Sequence, residues 1–184
     1  LVGSEMCIRD SFTSLLHFEA LEDFLLVDKA HLKAGEAYLK AAFNNAPYTR
    51  INSVLMRAFP EMPKMKPSPV EGPKKDRIYE LRSYESPTEL TYKNKVHMFN
   101  QGGEVELFDS LGFNAVFYGE VISGDAMPNL MYMTSFSNMN KRDELWKTFF
   151  ASSKWTELKS DAYYKNNMKK ADIMLLYPTA YSDY

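Results

Sequence analysis

Three side chains in this 184-residue chain could act together as a chemical set: Glu80, Arg82 and Tyr118. A guanidinium can grip a carboxylate or an enolate, and a tyrosine hydroxyl can donate a hydrogen bond to charge developing beside it. Glu80 and Arg82 alternate with Ile78 and Tyr84 in "RIYELRSYE", so they share one strand face. The plainer reading of the pair is a structural ion bond that fixes strand register, because perturbed charges also occur in purely structural networks. A second set, His97, Asn100 and Glu104, falls at spacings of three and four on one helical face. Histidine with a carboxylate partner is the usual proton carrier near neutral pH. A solvated helix face produces the same spacing, and that is the bland alternative. One histidine and one carboxylate are too few for a metal site. Trp146, Phe149, Phe150 and Trp155 could line an apolar ligand site, but at helical spacing they read first as core. No histidine has a haem-ligand context, and Gly102-Gly103 interrupt a helix instead of following a strand, so no cofactor is expected.

The elements that must position these residues follow from periodicity and breakers. Between Ser14 and Asn45 apolar residues recur at helical spacing, Pro47 closes that region, and Ile51 to Phe59 reads as a strand. Prolines at 60, 63, 67, 69 and 73 make residues 63–75 a stiff linker wrapped on the surface. A strand over Arg77 to Glu85 then enters a helix from Pro87 to Leu111, with Ser86 and Glu89 as its capping box and a bend at Gly102-Gly103. Strands over Phe113 to Ile122 and Leu130 to Phe136 follow. A helix from Lys141 to about Tyr164, capped by Asn138 or Asn140, leads into a last strand in "ADIMLLYP". The order β-α-β-β-α-β is the ferredoxin-like unit of an α+β fold.

The piece before the linker, a helix and then a strand ending in "RAFPEMP", has the shape of the chain's end, a helix and then a strand ending in "LLYPTAY". Residues 12–62 are therefore expected to be the last third of an earlier copy of the unit, and residues 76–184 a complete one. Residues 1–11, "LVGSEMCIRDS", lack the order of a signal peptide and resemble a translated sequencing adapter, so they are read as a non-native leader.

Composition narrows the classes. An apolar share of 45% with 25% charged residues fits a soluble globular chain able to bury a core. A formal net charge of -2 gives no electrostatic basis for a nucleic-acid partner. No apolar run reaches the roughly 18 residues that span a bilayer. With Cys7 as the single cysteine there is no internal disulfide and no thiolate metal site, a composition that fits cytosol and periplasm alike.

The strands are apolar on both sides: Phe113, Phe117 and Val121 oppose Val116, Tyr118 and Ile122. Two helices cover only one sheet face, so a second sheet, from a tandem copy or another chain, is expected to close a barrel over the other. If Ile78, Glu80, Arg82 and Tyr84 face the inter-sheet space, a charged pair lies inside that barrel. If Tyr79, Leu81 and Ser83 do, the pair sits at a solvent-exposed edge.

The segments "RIYELRSYES", "VHMFNQGGEVELFDSLGFNAVFYGE", "MPNLMYMTSFSNMNKRDELWKTFFASSKW" and "PTAYS" resemble the NIPSNAP family over essentially all of residues 76–184. Residues 20–62 resemble the end of a preceding repeat, as in two-repeat bacterial members. The resemblance implies the dimeric α+β barrel fold, and it implies that the strand Ile51 to Phe59 pairs with the second strand of the unit near Asn114 to Val121. Two-repeat bacterial members often carry export signals. No general catalytic activity comes with the family. Three functions are open: a small-molecule-binding barrel with Glu80, Arg82 and Tyr118 as polar contacts; a cofactor-independent oxygenase or isomerase with His97 or Tyr118 as acid or base; and an interaction module without ligand.

Overall fold

The strand patterns assemble into one five-stranded antiparallel sheet in the order β1-β3-β4-β2-β5. β1 is Leu55–Ala58, β2 Ile78–Glu85, β3 Asn114–Ser123, β4 Asn129–Phe136 and β5 Lys170–Leu176. The structure, a computed structural model, describes residues 11–179 and residue 182. Cys7 and the rest of the expected leader up to residue 10 lie outside the described residues. β1 lies on the outer edge of β3, with Met56 opposite Val121 and Ala58 opposite Gly119, as the family resemblance implies.

Helices α5 (Glu89–Phe99), α6 (Glu104–Leu111), α7 (Met139–Ala151) and α8 (Ser153–Ser160) come between the strands. Phe99, Phe108, Trp146 and Phe149 from these helices pack with Ile78, Tyr118, Tyr132 and Phe136 of the sheet in one aromatic core. The other sheet face carries a second buried cluster, Tyr79, Leu81, Val116, Phe117 and Met133, with Met56, Met65, Met131 and Met174 against it. Both faces therefore bury apolar side chains, as the two-sided pattern requires.

Local chemistry moved several boundaries. Thr88, not Ser86, caps α5, and its capping box closes through Thr91; the Ser86 hydroxyl donates instead to the Asn167 carbonyl at 2.6 Å. The expected bend is a full break, because Gly103 takes a left-handed conformation at φ 87° that a side chain disfavours. Ser152 splits the second long helix by capping α8, and Asn138 is the cap of α7. A bulge between Ala115 and Phe117 resets the alternation of β3. Val116 and Phe117 consequently share the face opposite Tyr118 and Phe113.

The chain divides into two compact units between Ile51 and Asn52. The first, taken by itself, holds α1 (Leu15–Glu19), α2 (Leu21–Val27), α3 (Lys29–Ala34) and α4 (Glu36–Leu39), none with a buried residue. β1 belongs to the second unit. The stretch after β1 is more than a surface wrap: Phe59, Met62 and Val70 are buried, the Lys66 amide donates to the Val116 carbonyl, and the Ser68 and Ser135 hydroxyls meet at 2.6 Å. Burying Phe59 and Met62 contributes about 1.5–3 kcal/mol each.

Candidate functional site

β2 presents Ile78, Glu80, Arg82 and Tyr84 to the helices. Both sequence-based placements of the Glu80–Arg82 pair are thereby corrected: it lies neither between two sheets nor at an exposed edge, because α7 lies over that face. Glu80 is fully buried. Its Oε1 accepts from Arg82 Nε at 2.5 Å, and its Oε2 accepts from Arg142 Nε at 2.6 Å and from the Trp146 indole N–H at 3.1 Å. The Arg82 guanidinium lies 3.7 Å from the centre of the Trp146 ring and donates to the Tyr84 hydroxyl at 2.8 Å. Tyr84 in turn bonds the Tyr132 hydroxyl at 2.9 Å. Three donors on one carboxylate are what permit a charge there without water. Arg142 was not singled out in the sequence and Trp146 was read only as core or apolar lining, although their spacing of four on α7 is the signal that could have joined them to Glu80.

The second set separates. His97 Nδ1 meets the Tyr164 hydroxyl at 2.9 Å. Asn100 donates to the Val96 carbonyl of its own helix, leaving Oδ1 without a partner. Glu104 accepts from Lys95 Nζ at 3.1 Å, and Lys95 sits 4.8 Å from the Phe99 ring centre. Asn100 and Glu104 are buried, not on a solvated face. Burial pushes the Glu104 carboxyl above its usual range, against the pull of Lys95 and then Arg82. Lys95 was missed because an isolated lysine on a helix reads as solvated.

Tyr118 packs with its ring 6.1 Å from Phe59 and 5.6 Å from Tyr132, and its buried hydroxyl has no hydrogen-bond partner. Burial pushes that hydroxyl well above its ordinary range, and the Asp109 and Glu104 carboxylates push the same way. It keeps its proton at neutral pH, so it is no base there. Trp146 and Phe149 are core as expected, whereas Phe150 is half exposed.

Two open depressions mark the second unit. One of about 280 Å³ lies beside Val70, Asn114 and Lys141; the other, about 440 Å³, lies beside Glu61, Asn100, Glu106 and Asp109. Of the six candidate residues, Asn100 alone lines either. Among the described residues no group of three or more His, Cys, Asp or Glu side chains could hold a metal ion, and no helix is long and apolar enough to cross a membrane.

What this geometry visibly does is hold a strand. β1 docks on β3 with Met56 against Gly119, whose missing side chain admits it, and with Phe59 sealed against Tyr118 and Phe99.

Solved structures share the architecture. A NIPSNAP family protein from Agrobacterium tumefaciens strain C58 is 16% identical, with 58% of this chain and 96% of that one covered at a TM-score of 0.50. A second from the same organism, of unknown function, is 17% identical, with 61% and 97% covered at a TM-score of 0.50. At such identity the likeness shows the fold alone. No curated protein matches the chain. The NIPSNAP family model matches residues 79–183, more than half of the chain and all of β3, β4, β5 and the helices of the second unit. With the split β-α-β-β-α-β order and that match across it, the chain belongs to the NIPSNAP family.

Proposed function

We propose that this NIPSNAP domain is an interaction module that captures an extended strand at the outer edge of β3, and that the Glu80–Arg82 network holds the helices on the sheet. The observation that carries this reading is the seating of β1, which combines ladder pairing with two side-chain pockets. That is how strand-addition modules gain affinity from the main chain and selectivity from alternate side chains. The small-molecule and enzyme alternatives draw no support from Glu80 and Arg82, whose polar groups already bind Arg142, Trp146 and Tyr84.

Residues 12–62 fit the same picture as the end of an earlier copy: short helices followed by β1 repeat the order α7, α8, β5. The bacterial origin of the two relatives above agrees with a bacterial two-repeat protein.

The test uses the full chain carrying Phe59→Ala, which loosens β1. A fluorescent peptide of residues 54–62 should bind it saturably in anisotropy titrations, and a scrambled peptide should not. Equal signals from the two peptides would sink the reading.

A further inference from the structure

The larger depression of the second unit is lined by carboxylates that nothing neutralises. Glu61 comes to it from the turn after β1, and Glu106 and Asp109 come from α6. The last two stand three residues apart on one helical face, where like charges repel. None of the three pairs with a lysine, arginine or histidine among the described residues. Lys154 borders the rim, with its Cε 3.5 Å and Glu106 Oε2 3.7 Å from the point where a Gly103 side chain would begin. Its ammonium turns to Glu157 instead, at 3.5 Å.

Asn100 lines the same depression and is only 7% exposed. Its Nδ2 is turned back to the Val96 carbonyl at 2.9 Å, so Oδ1 is the side-chain atom left to face the depression, and that buried oxygen has no donor. Native structures rarely leave such an acceptor unrelieved. Asn100 also caps the C-terminal end of α5, where the aligned carbonyl dipoles favour positive charge. Free carboxylates, an orphaned acceptor and a negative helix end are separate features, and all three call for a cation that carries N–H donors.

The spread of the carboxylates selects among cations. They do not converge closely enough for three to hold one metal ion. Distributed over about 440 Å³, they suit a ligand whose charges are distributed too, with methylenes between them to lie along Val105. We propose that this depression, built at the break between α5 and α6, binds a linear diamine or polyamine. One ammonium donates to Asn100 Oδ1, and the others are held by Glu106, Asp109 and Glu61. The site shares no residue with the edge of β3, so it stands or falls apart from the strand-capture reading.

The experiment titrates spermidine into the full chain by isothermal calorimetry at low ionic strength, with circular dichroism to verify that each variant folds. Wild type should bind saturably at one site, and added salt should weaken binding because charges at an open depression are screened. Butylamine, with a single ammonium, should bind about tenfold or more weakly than putrescine, which has the same carbon chain and two. Glu106→Gln with Asp109→Asn, both at exposed positions, should weaken spermidine about tenfold or more, whereas the same charge change made elsewhere by Asp125→Asn with Glu144→Gln should alter it by about twofold at most. Asn100→Leu should lose about tenfold, and the Val96 carbonyl keeps the backbone amide of residue 100 at 3.1 Å. Heats that do not saturate would overturn the proposal, as would equal losses in the two charge-neutralised pairs or wild-type affinity in a folded Asn100→Leu chain. Calcium that binds more tightly than spermidine and displaces it would also overturn it, by assigning the carboxylates to a metal. Should Asn100→Leu not fold, the two charge-neutralised pairs decide.

Discussion

Arg82 sets the chemical character of the interior, and its removal separates structure from binding. Its guanidinium bridges Glu80 to Tyr84 and covers the Trp146 ring, a fork and a stacking plane that lysine cannot reproduce. Arg82→Ala leaves the fully buried Glu80 short of one donor, and breaking one side of such a pair costs about 3–5 kcal/mol. The urea midpoint should fall accordingly, with an unchanged m-value marking a loss of stability and not of compactness. A variant as stable as wild type would mean that the network is dispensable for folding and free for a ligand. The identities of Glu80, Arg82 and Tyr118 were legible as unusual residues in apolar strands, and Glu104 by its helical spacing alone. Their partners were not, because alternation tells which residues share a face without telling which layer covers it. His97, Asn100 and Glu104 show the same limit. Their helical spacing is real, yet the break at Gly103 turns Glu104 to Lys95 while His97 turns to Tyr164.

Among the elements, β1 is held by a fit that a single methyl group can test. The nearest atom to a Cβ added at Gly119 is the Met56 Cβ at 3.0 Å, an atom attached to the backbone, so the strand itself has to move. Overpacking of this kind costs about 1–3 kcal/mol. Gly119→Ala should therefore loosen β1 and quicken tryptic cleavage after Arg57, which lies opposite Glu120 in the docked strand, by roughly tenfold for each 1.4 kcal/mol lost. Cleavage at the wild-type rate would show that the close approach is immaterial to docking. The succession of strands and helices was readable, because apolar periodicity and glycine or proline breakers are local signals, whereas the pairing of β1 with β3 followed only from the family resemblance. The bulge in β3 was not readable. A one-residue insertion leaves composition unchanged but moves Val116 to the face of Phe117 and sets Tyr118 among the helices. The capping box slipped by two residues for a related reason, as Ser86, Thr88, Glu89 and Thr91 all supply capping groups and only the seating of Ser86 on Asn167 decides between them.

At the scale of the whole molecule, the two compact units differ in what can stabilise them. The second buries apolar side chains on both sheet faces. The first shows Leu16, Phe24, Leu26, Val27 and Phe43 exposed and buries none of the residues of its four helices. Helices of four to seven residues do not persist on propensity, and without burial nothing offsets about 1–2 kcal/mol of backbone entropy per residue. Helices α7 and α8 of the second unit, by contrast, bury Leu145, Trp146, Phe149 and Leu158. If residues 12–62 belong to an earlier copy, α1 to α4 need a sheet of the same kind beneath them. In the isolated chain, hydrogen exchange should then find the amides of Leu15 to Leu39 opening at least 100-fold more readily than those of β2 and β4, a gap of about 2.7 kcal/mol. Protection equal to the central strands in a monomer would mean that these apolar side chains already have a cover, and the earlier-copy reading of this segment would lose its physical ground.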